Sequence, residues 1–388
     1  MGDRIARLQA SMRAAGFDAA IIMQPRDLFY YAGTAQPCNL LVFDRGEPYL
    51  WVRRAGEFVR RESGLRNILE DGGFAGIKRR MAEAGLTRGR LGVTEDAVPA
   101  ALYKKMTGLF GGFELGNISP LVLEQRMIKD EGEIGALREA ARLSLVTHRV
   151  ILDNLRPGVT EIELSGRILG ALRAAGAESI IRNRRWDASL AADGAMASGY
   201  NTWEISGHAM TVTGVGLGGW QAHGASRKTI NEGDLLVVDL PYNRAGYHGD
   251  ITRTYVAGRA TGKQKEAFRK VRQIHERVLE AVSPGRACAE LYRTARAAAV
   301  ELGCEAWFQG YGSMQGQYIG HGLGLECDEP PTLEPGSRFV LRENMVLAIE
   351  PKLIIPGWGA VALEDDVLVT GDGYELLPAP ERRLFEVN

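Results

Sequence analysis

Apolar and polar positions along this chain follow two rhythms. Ile5, Leu8 and Met12 recur at helical spacing, and Gly16 closes that stretch. The run DAAIIM that follows reads as a strand, as do NLLVF (39–43) and PYLWV (48–52). Roughly the first 125 residues therefore predict an α/β domain, one without a cluster of ligand-type side chains. RMIKDEGEIGALREAARLS, from Arg126 to Ser144, then turns helical and charged. The boundary falls near Lys129, giving domains 1–128 and 129–388.

The second domain carries an internal echo. Leu155-Arg156-Pro157-Gly158-Val159-Thr160 leads into EIELSGRILGALRAAG, ending at Gly176, and Val282-Ser283-Pro284-Gly285-Arg286-Ala287 leads into CAELYRTARAAAVELG, ending at Gly303. Each unit predicts a Pro-Gly turn, a capped helix, a closing Gly and then strands. Thr160 with Glu163 fits a capping box. Two unrelated amphipathic helices would be the plainer account. The matched Pro-Gly and Gly positions favour a duplication, with two sheets side by side and a cleft between them. The expected fold is thus an α/β N-terminal domain followed by an α+β C-terminal domain of two pseudo-twofold halves.

One apolar run ends in charge. LLVVD (Leu235–Asp239) reads as a buried strand, and Asp239 opens DLPYNRAGYHGDITRT, in which Asp250 follows eleven residues later. A buried carboxylate is costly unless something pairs with it. The hairpin reading has Asp239 ending one strand, YNRAGYHG turning, and Asp250 opening the next, which brings the two carboxylates close. A plain turn-forming Asp is the other reading.

Composition narrows the function. With 45% hydrophobic and 24% charged residues and a net charge of −1, the chain suits a soluble globular protein and not a broad nucleic-acid surface. No apolar run reaches a membrane span, and MGDRIARLQA has neither a signal-peptide core nor, with Ala6, a myristoylation pattern. Cys38, Cys288, Cys304 and Cys327 form no CxxC pair, which suggests a reduced, cytoplasmic setting.

Five ligand-type residues stand in or beside apolar segments: Asp239, Asp250, His321 in GHGLGLECDEPP, Glu350 in VLAIEPK and Glu364 in AVALEDDVLVT. Four carboxylates and an imidazole converging on one core would repel strongly. Two divalent cations would cancel the four negative charges. Oxygen-rich ligands with one His suit Mn²⁺, Co²⁺, Zn²⁺ or Fe²⁺. Such ions about 4 Å apart could share and activate a water.

These segments resemble the pita-bread metallopeptidase family, which includes methionine aminopeptidase, aminopeptidase P, prolidase and creatinase. The resemblance covers the whole chain and is nearest the creatinase and prolidase branch. It implies that Asp239 holds one metal, His321 and Glu350 the other, and that Asp250 and Glu364 bridge both. It also implies a metal-bridging hydroxide as nucleophile, Glu350 as proton carrier, and His223 in QAHGASRKTINEGD as a substrate-binding, transition-state-stabilising His. The expected activity is hydrolysis of Xaa-Pro peptides with a Mn²⁺ pair. The expected assembly is a homodimer whose N-terminal domain covers a partner's site and admits short substrates.

Two positions depart from the family. Asp328 stands where its peptidases carry a second His, and Ala362 where they carry an Arg two residues before the last Glu. Asp328 accepts hydrogen bonds but donates none unless protonated. It reads equally as a structural carboxylate before Pro330 or as an acceptor or base in the site. These departures keep a creatinase-like or dimethylsulfoniopropionate-lyase-like small-molecule activity open. A third reading, a non-catalytic binding module such as family members without the ligands form, is disfavoured by the complete ligand set.

The remaining candidates carry plainer readings. Tyr247 and His248 read as loop residues, and Arg182–Trp186 (RNRRW) as a solvated turn that could hold a carboxylate. Trp186, Trp203 and Trp220 read as core or pocket wall, and His208 as a possible pocket contact. Cys327 reads as packing, and His148 and His275 as incidental helix residues.

Overall fold

In the computed structural model, which describes residues 2–178, 181–185, 194–207 and 212–388, helix α1 (Gly2–Ala14) buries Ile5, Leu8 and Met12 on one stripe. The chain divides into two units, one built on the residues up to Arg126 plus the short piece at Arg184, the other on the rest.

The first unit holds strands β1 (Ala19–Ile22), β2 (Cys38–Phe43), β3 (Tyr49–Val52), β4 (Asn67–Leu69), β5 (Gly89–Val93) and β6 (Phe113–Asn117). They form one mixed sheet in the order β4-β3-β2-β1-β5-β6, parallel across β3–β4, β1–β5 and β5–β6. Helices α2 (Pro25–Ala32), α3 (Gly56–Glu62), α4 (Gly73–Glu83), α5 (Ala100–Leu109) and α6 (Ser119–Met127) follow in between. Ile21, Leu41, Trp51, Ile77 and Met81 share its core. Asp27, fully buried, is paired by Arg126 at 2.8 Å and by Arg184 at 3.1 Å. Arg184 also holds Asp96 at 2.5 Å. The RNRRW run is therefore not a solvated turn at Arg184, because two carboxylates draw its guanidinium inward. Trp186 lies outside the described residues.

The second unit repeats a motif. Helices α7 (Glu131–Ala141), α8 (Leu143–Asn154) and α9 (Glu161–Ala174) precede β7 (Ala195–Ser198), β8 (Leu235–Arg244) and β9 (Tyr247–Ala257). Helices α10 (Gly262–Glu280) and α11 (Cys288–Glu301) precede β10 (Gly320–Gly322), β11 (Glu329–Thr332), β12 (Val346–Ile349), β13 (Lys352–Ile355), β14 (Gly359–Ala362), β15 (Asp365–Thr370), β16 (Gly373–Leu376) and β17 (Phe385–Val387). The sheets run β17-β9-β8-β7 and β11-β10-β12-β15-β16, with β13–β14 as a separate ribbon. In each half a helix pair, α8 with α9 and α10 with α11, packs together.

Backbone bonds show that the echo is a structural repeat. Gly158 donates to Ile230 and Ile230 back to Val159; Gly285 donates to Leu341 and Leu341 back to Arg286. At the helix ends Ala177 donates to Leu172, and Cys304 to Ala299. The caps differ. Thr160 and Glu163 form the expected capping box, whereas Ala287 at the equivalent place offers no side-chain cap, so the expectation of two capped helices holds for one.

The repeat also extends further than the two Pro-Gly segments. His148 and His275 stand nine residues before Pro157 and Pro284. Asp239 and Glu350 stand nine residues after Ile230 and Leu341. Between them, Gly233 at φ 81° and Asn344 at φ 67° occupy matching left-handed positions.

The β8–β9 hairpin is longer than its sequence suggests. Its turn is only Ala245-Gly246, at φ 52° and 82°, the two-residue turn whose twist suits a hairpin. Asp239 therefore lies mid-strand opposite Thr252, and Asp250 lies opposite Pro241. Tyr247 and His248 are buried strand residues, not loop residues. Among the described residues no helix is long and apolar enough to cross a membrane.

Candidate metal centre

Strand alternation assembles the first part of the centre. Partners across an antiparallel ladder point to the same face, so Asp239, Asp250 and Thr252 share one side of the hairpin. Thr252 donates its hydroxyl to Glu364 Oε2 at 2.5 Å, and Glu364 N donates to the Thr252 carbonyl. Thr254, next on the same face, both donates to and accepts from the Ala362 backbone. Arg253, pointing the other way, pairs with Asp365 at 2.5 Å and donates to the Glu364 carbonyl. DITRT thus supplies Asp250 and also the grips that hold Glu364 beside it.

The second half supplies the rest. His321 sits on β10 against Ala348 of β12, and Glu350 follows that strand directly. His321 Nδ1 lies 3.0 Å from the Gly322 carbonyl. That bond assigns the proton to Nδ1 and leaves the Nε2 lone pair for a cation. Nε2 lies 3.8 Å from Glu350 Oε1 and 4.0 Å from Asp250 Oδ2.

The structure brings together all five residues in two overlapping groups, Asp250–His321–Glu364 and Asp239–Glu350–Glu364. Ligand atoms within each group lie within 4.8 Å of one another. Four of the five are buried and Asp239 nearly so. Asp250 is pushed up to about 7, first by burial and then by Asp239, and Glu364 is raised by burial and by Asp250. This acidic group is short of positive charge. Asp250 Oδ1 is buried without a hydrogen-bond partner, and the same carboxylate's Oδ2 lies 4.0 Å from the imidazole Nε2. That donor set fits a divalent cation.

The environment includes residues that the sequence reading passed over. Lys352, 1% exposed, reaches in from β13 and contacts Asp239 Oδ2 at 2.7 Å and Glu350 Oε2 at 2.6 Å. Burial alone would push its ammonium down, but Asp239, Glu350 and Glu364 together hold it above the ordinary lysine range. Gln309, fully buried, donates to the Tyr318 and Glu350 carbonyls and accepts from Lys352 N. The Tyr318 ring stacks on His321 at 6.0 Å. Cys327 Sγ donates to Asp250 Oδ2 at 3.1 Å, so it touches the centre and is more than packing. Asp366 accepts from Asp250 N.

The other candidates fall as follows. His223 is 4% exposed, on a segment bridged back to residues 214–218. Asp328 is exposed, yet its charge, with those of Glu350 and Asp250, outweighs the burial that would lower the His321 pKa. His248 is a fully buried staple, with Nδ1 on the Gly324 carbonyl and Nε2 accepting from Arg182 N. Ala362 packs with Val237 and Ile354, and Trp203 packs against that group. Trp220 is 98% exposed, neither core nor wall. His208 lies outside the described residues.

A carboxylate–imidazole cluster spanning two half-sheets defines a class, the metal-centred hydrolases. The match to the model of metallopeptidase family M24 spans residues 135–371, and residues 4–128 match the creatinase/prolidase N-terminal domain. The chain belongs to family M24, with the pita-bread fold behind a creatinase-type domain, and is a metal-dependent hydrolase.

The chain is 27% identical to an Xaa-Pro dipeptidase of Pyrococcus furiosus over 99% of its own length and 100% of the relative's. Among solved structures it is similar to an Xaa-Pro dipeptidase from Bacillus anthracis, with TM-score 0.84 and 27% identity over 99% of both chains. It is also similar to an X-Pro aminopeptidase from Thermotoga maritima, with TM-score 0.80 and 25% identity over 99% of both.

Proposed function

We propose that this protein is an Xaa-Pro dipeptidase that uses divalent metal, with Mn²⁺ the first candidate. The observation that carries this is the convergence of Asp239, Asp250, His321, Glu350 and Glu364 from four separate segments. The Xaa-Pro dipeptidase relatives support the substrate class. A bound ion there supplies Lewis acidity and an activated water at neutral pH. The protein's own groups do the rest. Glu350, with Oε1 turned to the imidazole, carries a proton to the leaving nitrogen. His223 steadies the oxyanion. Asp328, at the place of the family's second His, takes a basic group of the substrate. The protein works in the cytoplasm, in keeping with its four unpaired cysteines, and as a homodimer, which light scattering would refute by showing a monomer.

The test is hydrolysis of an Xaa-Pro dipeptide and an Xaa-Pro-Xaa tripeptide by Mn²⁺-loaded protein, with Asp250→Ala as control. Turnover of the dipeptide, lost in the variant, establishes the reading. Cleavage of the tripeptide alone makes it an aminopeptidase P. A second reading, action on a small guanidino, amide or sulfonio compound, is favoured by Asp328 and Ala362 standing where peptidases carry His and Arg. Metal-loaded protein that cuts neither peptide would turn the search there.

A further inference from the structure

We infer that the Lys352 ammonium takes one of the two cation positions in this cluster, so that the centre holds one divalent ion per chain and not two. Lys352 Nζ contacts Asp239 Oδ2 and Glu350 Oε2 at 2.7 and 2.6 Å. Those two carboxylates, with Glu364, are the whole of the second ligand group. An ion bridging Asp239 and Glu350 there would have to displace the ammonium from both oxygens. The first group is different. Glu350 turns its other oxygen, Oε1, to His321. Asp250 Oδ1 has no hydrogen-bond partner. Glu364 is held in place by Thr252. That end has an imidazole and a carboxylate oxygen without a hydrogen-bond partner.

The position of Lys352 in the ladder accounts for its presence. Lys352 pairs directly with Ala362 across β13–β14, and Ala362 is the place where the family resemblance leads one to expect Arg. At this rung the cation stands on β13. The backbone of Lys352 is fixed by Gln309, and its side chain is 1% exposed, which leaves the ammonium little room to swing out.

This inference rests on the cluster being a metal centre, and the experiment separates the two ideas. The protein is saturated with Mn²⁺, dialysed, and its metal measured by plasma mass spectrometry beside its electron paramagnetic resonance spectrum. Lys352→Met and Lys352→Gly are treated alike. The expected result is one Mn²⁺ per wild-type chain with the six-line spectrum of an isolated ion, and two with an exchange-coupled spectrum in the variants. Two coupled ions in the wild type would overturn the inference even if neither variant folds. One ion in wild type and folded variants alike would show that Lys352 is not what excludes the second. No ion in any of them would sink the metal-centre reading itself, and this inference with it.

Discussion

The two halves of the catalytic unit start from the same plan and finish differently. Each has a helix pair, a Pro-Gly turn bonded to the segment that leads into a strand (Ile230 before β8, Leu341 before β12), and a carboxylate nine residues along, Asp239 in one and Glu350 in the other. In the first half the strand runs on through Asp239 for ten residues, from Leu235 to Arg244. In the second it breaks at Glu350-Pro351, with β12 ending at Ile349 and β13 starting at Lys352. The residue two past the acid is Pro241 in the first half and Lys352 in the second. One half therefore contributes only acids, while the other contributes acids, the imidazole and a cation. Duplication can build a symmetric cradle, but an unsymmetrical reaction needs the copies to diverge where side chains meet.

The largest expected effect breaks the pairing of the two acids. Glu350→Gln should lower kcat by roughly 10³-fold, the range lost with a proton-transferring group. Asp239→Asn, which touches Lys352 and not His321, should cost roughly tenfold to a hundredfold, the scale of a supporting ligand contact. Steady-state kinetics on an Xaa-Pro dipeptide compares them, and equal losses would mean that the halves contribute alike.

Next in size is the pair of helix histidines. His275 is fully buried on α10 and held down to about 4, first by burial and then against the pull of Asp365, with Arg253 and Arg382 adding to the depression. His148 on α8 is also lowered by burial and bonds Tyr255 at 3.0 Å. Because the folded pKa lies below the unfolded value, the unfolded chain binds the proton more readily between pH 6.5 and 4. Stability therefore falls as pH drops through that window. The His275 share between pH 7.5 and 5 is roughly 2 kcal/mol. Urea melts at the two pH values should show His275→Phe flattening this acid loss and His148→Phe doing so less. An unchanged slope in His275→Phe would remove His275 as its source.

The smallest effect tests the caps. Thr160→Ala should cost about 1 kcal/mol, while Ala287→Ser should add roughly 0.5–1 kcal/mol by completing a box with Glu290. Thermal melts of both variants would sharpen the comparison, and a destabilised Ala287→Ser would show that the second turn cannot accept the cap.

Much of this was legible in the sequence. The repeat shows in its Pro-Gly turns, and the five cluster residues show as four acids and a histidine in or beside apolar runs. Lys352 was not legible, since a lysine in a strand usually reaches solvent and only the fold reveals that its head stays inside. Cys327 reads as packing in the sequence because a thiol's partner is a question of space. The hairpin reads shorter in the sequence than it is, because Ala-Gly lacks the Asn or Asp that commonly marks such a turn. The wider repeat, linking His148 with His275 and Gly233 with Asn344, is spread over positions whose identities mostly differ, and backbone bonds expose it where letters do not.

Folding has to bring the four acids of the cluster together. Four acids packed together would ordinarily resist that step, and many metal sites fold only on loading. Here the Lys352 ammonium lies between Asp239 and Glu350. The protein brings its own counter-charge to assembly, so maturation becomes two separable events, folding first and metalation afterwards. A chain stripped by a chelator should then stay folded and regain its activity when the ion returns.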